Sequence, residues 1–356
     1  MPTDLPVHDT TRPVGRTDLI AAIETALAAG SGVLLSGPDG IGKSTVLDAV
    51  VAAATGRGER ALRISSTETE RWLPYAGLAD LLSQVPAEAM AALPEPQRDA
   101  IDAVLHRGTG TDGPDGPTRG ELACRLGVGA VLSWCAARGP VLVVADDVQW
   151  LDTASAGVIG AAVRRLSGLP ASNRRLRVIA AQARRTPHAA ALCPPPVAEL
   201  TVPPMAAHDL AELLEAHGLP CRAASRLRAE SGGNPYLALA LGGAFANRAG
   251  PSWRSAPLPA RVTETLQRRL AALPDGARGT LLLAALASRP TVTLLRQAGR
   301  SEAEHDVLLA ASAGLVVVDG SVVRFTPAAV ATVLTAHAGA AAHAAGHSVL
   351  AAVCSD

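Results

Sequence analysis

The sequence predicts an α/β fold: a three-layer domain built on a parallel sheet, then a helical domain, then a winged-helix-like domain. Three observations predict it. A buried strand runs through a glycine-rich loop into a helix at 33–54, which sets a strand–loop–helix unit near the start. Continuous apolar runs then alternate with helix-length segments as far as residue 181, the pattern of a parallel sheet covered on both faces. Prolines crowd at Cys193-Pro194-Pro195-Pro196 and Pro203-Pro204, and beyond them the pattern is helical except for one short hairpin. The expected boundaries are 1–193, 200–250 and 257–356, the last ending in a C-terminal helix.

The elements follow in order. Leu19, Ile20, Ile23 and Leu27 fall at helical spacing within 14–29, and Gly30-Ser31-Gly32 ends that helix. Val33-Leu34-Leu35-Ser36 reads as a buried strand, and Lys43 to Ala54 as the helix after the loop. A second strand is expected at Ala61–Ile64, with helices near 76–84 and 97–106 and a turn-rich surface loop over 107–120. A helix over about 121–137 leads to the apolar run Val141–Ala145, a central strand. A helix over 153–167 and a strand over Leu176–Ala181 complete the first domain. Residues 206–248 read as helical, broken at 218–220 and at 231–235. Past a proline-marked joint near 251–259, helices are expected at about 260–272, 275–287 and 302–312. A hairpin of 315–318 and 322–325 follows, turned by Asp319-Gly320, and then an alanine-rich helical tail over 328–353.

The loop Gly37-Pro38-Asp39-Gly40-Ile41-Gly42-Lys43-Ser44 is a complete phosphate-binding P-loop, so ATP or a close relative is the expected ligand. Gly37, Gly40 and Gly42 let the backbone turn its N–H groups inward, and the helix that starts at Lys43-Ser44-Thr45 aims its positive end at the same phosphates. Pro38, Asp39, Ile41 and Thr45 complete the binding stretch. Lys43 supplies a point charge and the Ser44 hydroxyl a ligand for Mg²⁺. Of the 32 basic residues Lys43 is the only lysine, and it stands where a compact ammonium serves better than a planar guanidinium.

Asp146 and Asp147 end the apolar strand at 141. Alone, paired acids after a strand read equally as a helix-capping turn; behind a P-loop they read as a Walker B pair. Asp146 would then hold Mg²⁺, and Asp147 would orient or deprotonate an attacking water. Asp152 reads as the cap of the next helix. Ala183-Arg184-Arg185 follows the strand at 176, where Arg184 could meet a γ-phosphate; a solvated strand edge explains the same residues. His343 and His347 stand four apart on a helix, but Ala-Ala-Gly between them lacks the acid of a zinc hydrolase. A solvated helix face is the better reading, and Mg²⁺ is the only metal expected.

Composition excludes several classes. With 48% hydrophobic and 18% charged residues the chain is globular, not disordered. Lys plus Arg and Asp plus Glu each total 32, so no net field attracts nucleic acid, and 2% aromatics leave few platforms for bases. Direct nucleic-acid contact is not expected. Five cysteines without a paired spacing read as thiols in a reducing compartment. No apolar run long enough to span a membrane occurs, and the N-terminus does not read as a signal peptide, so a cytoplasmic location is expected.

Four stretches occur in a fixed order: Val14-Gly15-Arg16, the P-loop, Asp146-Asp147-Val148-Gln149-Trp150-Leu151-Asp152, and Ser231-Gly232-Gly233-Asn234-Pro235. Together they resemble the ATPase region of large ATP-binding LuxR-type transcriptional regulators, members of the STAND class of AAA-like NTPases, over about 14–350. The resemblance implies a P-loop NTPase fold in which Gly15 and Arg16 lie near the adenine and Pro235 packs against it. Arg184 aligns with the sensor arginine. It further implies a switch in which ADP holds the domains closed, while an inducer or regulatory protein with ATP opens them for self-association. Two departures stand out. Pro327 occupies the place where many relatives carry a histidine that touches the ADP phosphate. The long helical sensor and C-terminal helix-turn-helix of such relatives are also absent, so the sequence reads as a truncated or a stand-alone form.

The expected function is an ATP-binding, slowly hydrolysing regulatory switch module. The alternatives are a nucleotide-binding module without turnover and a stand-alone P-loop ATPase. A metabolic kinase fits less well, because no acceptor site stands out, and a DNA-translocating motor is disfavoured by the neutral charge.

Overall fold

The computed structural model describes residues 13–107, 119–167, 175–246 and 258–354. Most of the turn-rich loop and of the joint near 251–259 lie outside the described residues. The described chain forms two compact units. One holds the residues up to Gly37 together with Lys43–Val202, and the other holds Pro38–Gly42 together with Pro203 onward.

The first unit is organised by five parallel strands: β1 (Gly32–Ser36), β2 (Arg60–Ser65), β3 (Val141–Asp146), β4 (Leu176–Gln182) and β5 (Val197–Thr201), in the spatial order β2-β3-β4-β1-β5. Alternation along β3 explains the layers. Val141, Val143 and Ala145 join a core with Leu78, Leu81, Val131, Leu132, Ile159 and Val163, from the helices Ala76–Ser83, Arg119–Arg138 and Thr153–Ser167. Leu142 and Val144 are equally buried but point the other way, where helix Lys43–Gly56 lies along β3 and brings Val46, Leu47 and Val50. Period-two alternation with both faces buried is what a central parallel strand requires.

One expectation needs correction. The prolines at 194–196 do not close the sheet: β5 follows them and pairs with β1 from Gly32↔Val197 to Ser36↔Thr201. Only one side of β5 is half-buried and the other faces water, as suits an edge strand. A short helix, Pro187–Leu192, leads into this crossing.

The second unit is helical from Ala207–Ala216 through Ala224–Ser231 and Pro235–Ala246, then Ala260–Ala271, Asp275–Leu286, Val292–Gln297 and Ala303–Ser312. Strands β6 (Val316–Asp319) and β7 (Val322–Phe325) pair antiparallel before the helices Ala329–His337 and Ala340–Cys354. The register opposes Asp319 to Val322, so the turn residues are Gly320 and Ser321, one position later than expected; Gly320 carries the positive φ of 63°. Leu266, Ala277, Leu281, Leu295, Ala310, Leu315, Val330 and Val333 are fully or nearly fully buried in this unit.

The Ser231–Pro235 stretch has a local explanation. Gly232 and Gly233 take φ of 64° and 74°, ending the helix at Ser231 in a left-handed turn. Asn234 then accepts the Leu237 N–H at 3.1 Å as a cap, and Pro235 opens the next helix at a position that needs no N–H. A Cβ on Gly232 would come within 2.7 Å of Thr326 and 3.4 Å of Pro327, so the residue at the expected histidine place lies against this same turn.

Candidate nucleotide site

The carboxyl ends of β1, β3 and β4 are adjacent in the sheet, and ligands of open parallel sheets bind at that edge. β1 delivers the phosphate loop. Its last residue, Ser36, accepts the Val202 N–H at 2.9 Å, and the Gly37 N–H donates to the Gln182 carbonyl at 3.2 Å. The entry to the loop is thus pinned from both flanking strands. Helix Lys43–Gly56 starts at the loop's end, so Lys43, Ser44 and Thr45 form its first turn, with N–H groups that lack intrahelical acceptors. Ser44 and Thr45 are exposed, whereas Lys43 is only 6% exposed.

Asp146 ends β3, and its Oδ1 accepts the Asp147 N–H at 2.9 Å. Asp147 has φ 48° and ψ 45°, a left-handed conformation that Asp tolerates better than most residues. Its Oδ1 lies 3.9 Å from Lys43 Nζ, so the lysine and the second acid meet at one edge of the sheet. Gln149 donates to the same Oδ1 from Nε2 at 2.9 Å, and its Oε1 accepts the Ala183 N–H at 2.9 Å.

Arg184 is exposed, and its guanidinium lies over the Trp150 ring, 5.2 Å from the centroid. Arg71 lies over the same ring at 5.6 Å. Asp152 is 4% exposed and accepts the Ser155 N–H at 2.8 Å, the capping role its sequence position predicts. The same carboxylate also accepts N–H groups from Tyr75 at 2.9 Å and Gly77 at 3.2 Å. At the start of the first unit Gly15 has φ 65°, and Arg16 is buried at 4% exposure just before helix Thr17–Ala28.

The tip of the loop, Pro38–Gly42, belongs with the second unit. The Ile41 N–H donates to the Pro38 carbonyl at 3.2 Å, and Gly40 has φ 76° while Asp39 has no positive φ, so residues 38–41 form a type II turn. Asn234 Nδ2 donates to the Asp39 carbonyl at 2.9 Å, the Arg269 guanidinium donates to the same oxygen, and the Tyr236 N–H donates to the Gly40 carbonyl at 3.3 Å. Arg269 is 8% exposed; burial draws its pKa down, opposed by the Asp39 carboxylate. Gly42 takes φ 100°, and among the described residues nothing beyond its own chain neighbours lies within 4 Å of where its Cβ would be. Pro235 is the first residue of its helix, next to the Asn234 that holds Asp39.

The residues fit Mg²⁺-nucleotide by their donor chemistry. A hydroxyl at Ser44 and a carboxylate at Asp146 are hard oxygen ligands. Gly40 and Gly42 take the positive φ with which a loop can turn its N–H groups toward an anion, and a buried ammonium stands at the helix start. Among the described residues no cluster of three or more His, Cys, Asp or Glu side chains could hold a metal by itself. His343 instead engages the Thr335 carbonyl at 2.8 Å. Sequence reasoning did not single out Gln149 or Asn234, although both lie inside stretches already marked. Arg269 carries no sequence signal, being one arginine among many and 230 positions from its partner.

Residues 12–179 match the AAA ATPase domain family. The match covers just under half of the chain and contains the P-loop and both acids. In fold, the chain is similar to a Walker-type ATPase of Pyrococcus abyssi at 14% identity and a TM-score of 0.53, covering 93% of this chain and 99% of that one. The ORC2 protein of Aeropyrum pernix, solved as ADPNP–ADP complexes, matches at 14% identity and a TM-score of 0.49, over 100% of this chain and 98% of that one. A STAND protein with a tetratricopeptide repeat sensor from Pyrococcus horikoshii matches at 13% identity and a TM-score of 0.40, over 96% of this chain and 46% of that one. At these identities the likeness is one of fold. No curated protein matches. The matched span holds β1 to β3, the start of β4 and the phosphate loop, while β5 lies beyond it.

Proposed function

We propose that this chain binds ATP and ADP with Mg²⁺ and hydrolyses ATP slowly, acting as the regulatory switch module of a LuxR-type, STAND-class regulator. One observation carries the hydrolytic part: Lys43 and Asp147 meet at 3.9 Å at the edge where β1 and β3 end, with Asp146 beside them. A P-loop lysine, a metal-binding acid and a second acid at one sheet edge form a constellation suited to phosphoryl transfer to water.

In this reading the backbone of 37–44 and Lys43 cradle the β- and γ-phosphates, and Ser44 with Asp146 would hold Mg²⁺. The metal, when bound, neutralises charge on the transferring phosphoryl group. Asp147 orients the attacking water and accepts its proton, while Arg184 reaches the γ-phosphate after leaving Trp150. Gly15, Arg16 and Pro235 serve the adenine. The helices from 260 and the β6–β7 hairpin act as a winged-helix-like packing domain without nucleic-acid contact, and 203–246 as the helical domain. An inducer or regulatory protein together with ATP opens the module for self-association. This switching part rests on the four sequence stretches and on Pro235 and Asn234 standing in the turn that holds the loop tip.

Two variants test the reading. Lys43→Ala removes the only lysine, and with it the cradle's ammonium, and abolishes nucleotide binding in equilibrium titration with a fluorescent ADP analogue; unchanged affinity would refute the site. Asp147→Asn retains ADP binding and lowers phosphate release at least a hundredfold. Release that does not depend on Asp147 would sink the hydrolytic assignment.

A further inference from the structure

Gln149 makes two bonds whose chemistry fixes its orientation. Asp147 Oδ1 can only accept, so Nε2 must face it; the Ala183 N–H can only donate, so Oε1 must face that side. The amide therefore bridges the end of β3 to the residue just past β4. The adjoining residues extend the connection. Gln182 accepts the Gly37 N–H through its carbonyl and donates from Nε2 to Ser36 Oγ at 3.2 Å, while Arg184 lies over Trp150, the neighbour of Gln149. Three successive residues, 182 to 184, thus touch the loop entry, the holder of Asp147 and the ring that carries the sensor arginine.

Asp147 is the acid at one end of this bridge. Its side chain is 40% exposed, its backbone is left-handed, and Lys43 stands at the long limit of an ion pair. The Gln149 amide is a directional donor to this carboxylate and restricts its rotation about the terminal bond. We propose that Gln149 is a positioning residue that fixes the Asp147 carboxylate for hydrolysis and ties it to the β4 turn bearing Arg184. Movement of that turn when Arg184 engages a γ-phosphate then carries directly to the acid. The inference rests on the hydrolytic reading and adds the residue that governs it.

The test is a comparison of wild type, Gln149→Leu and Gln149→Glu, measuring kcat and KM for ATP, the Kd for ADP, and the unfolding midpoint without nucleotide. Gln149→Leu removes both bonds. Gln149→Glu keeps the acceptor for Ala183 but sets a carboxylate against Asp147. Both variants are expected to lose kcat about ten- to a hundredfold, the scale of a misplaced catalytic group, with KM and the ADP Kd within about twofold of wild type. In an Asp147→Asn background, Gln149→Leu is expected to lower the residual rate no further.

A kcat within twofold of wild type in either folded variant would overturn the inference, and so would an equal loss in the Asp147→Asn background. If Gln149→Leu fails to fold, Gln149→Glu carries the same two outcomes. A wild-type protein that binds ATP but releases no phosphate overturns the hydrolytic reading, and the inference with it; that failure shows in wild type and not in the variants.

Discussion

Single residues here combine a local role with a distant one, and only the local role is visible in the sequence. Asp152 is legible as a cap because it stands three residues before Ser155 at a helix start. Its bonds to the Tyr75 and Gly77 N–H groups join chain segments whose encounter no local pattern encodes. Asp152→Ala would leave three buried donors short of an acceptor, at about 1–3 kcal/mol for each group not rescued by water. We expect a loss of roughly 3 kcal/mol in urea unfolding, with Asp152→Asn clearly milder; equal midpoints for Asp152→Ala and wild type would contradict the role. The thiols permit a second check. Burial pushes Cys193 up to about 12 and Cys124 up to about 11, and it raises Cys135 as well. All three are buried, whereas Cys221 is exposed. At pH 8 a thiol reagent should therefore label Cys221 within minutes and spare these three until the protein is unfolded.

Among elements, long periodic stretches were readable and short ones were not. The helices at 17, 43, 153 and 275 and the strands β1 to β4 all carry enough apolar repeats to stand out. Helices Ala87–Ala91 and Val292–Gln297 have five and six residues, under two turns each, and give no period. β5 escaped because it follows three prolines and presents the mixed face of an edge strand. The phosphate loop was legible as a motif, yet its tip conformation depends on donors some 200 residues away. Gly40→Ala tests that conformation. Its φ of 76° disfavours any side chain, and a Cβ would sit 2.8 Å from that of Tyr236. We expect ADP affinity to fall at least tenfold; binding unchanged in a folded variant would mean that the turn is not part of the cradle.

For the whole molecule, the proposed nucleotide binding would be linked to stability. At a hundred times its Kd a ligand specific to the folded state adds about 2.7 kcal/mol. ADP with Mg²⁺ should therefore raise the unfolding temperature of wild type by several degrees and leave Lys43→Ala unmoved. A net charge of zero likewise predicts no salt-dependent affinity for duplex DNA. The order of the sheet has a consequence in time. β1 is the first strand of the sheet to leave the ribosome, yet its two neighbours, β4 and β5, are the last to be made. Until residue 201 has emerged, β1 cannot have both partners, and the loop it carries lacks its anchor at Gln182 until β4 arrives. Hairpins and helices can form as they emerge, but the candidate nucleotide site has to await the nearly complete domain, a non-local closure of the kind that folds slowly. A nascent chain stalled short of β4 should therefore be open to protease and blind to ATP.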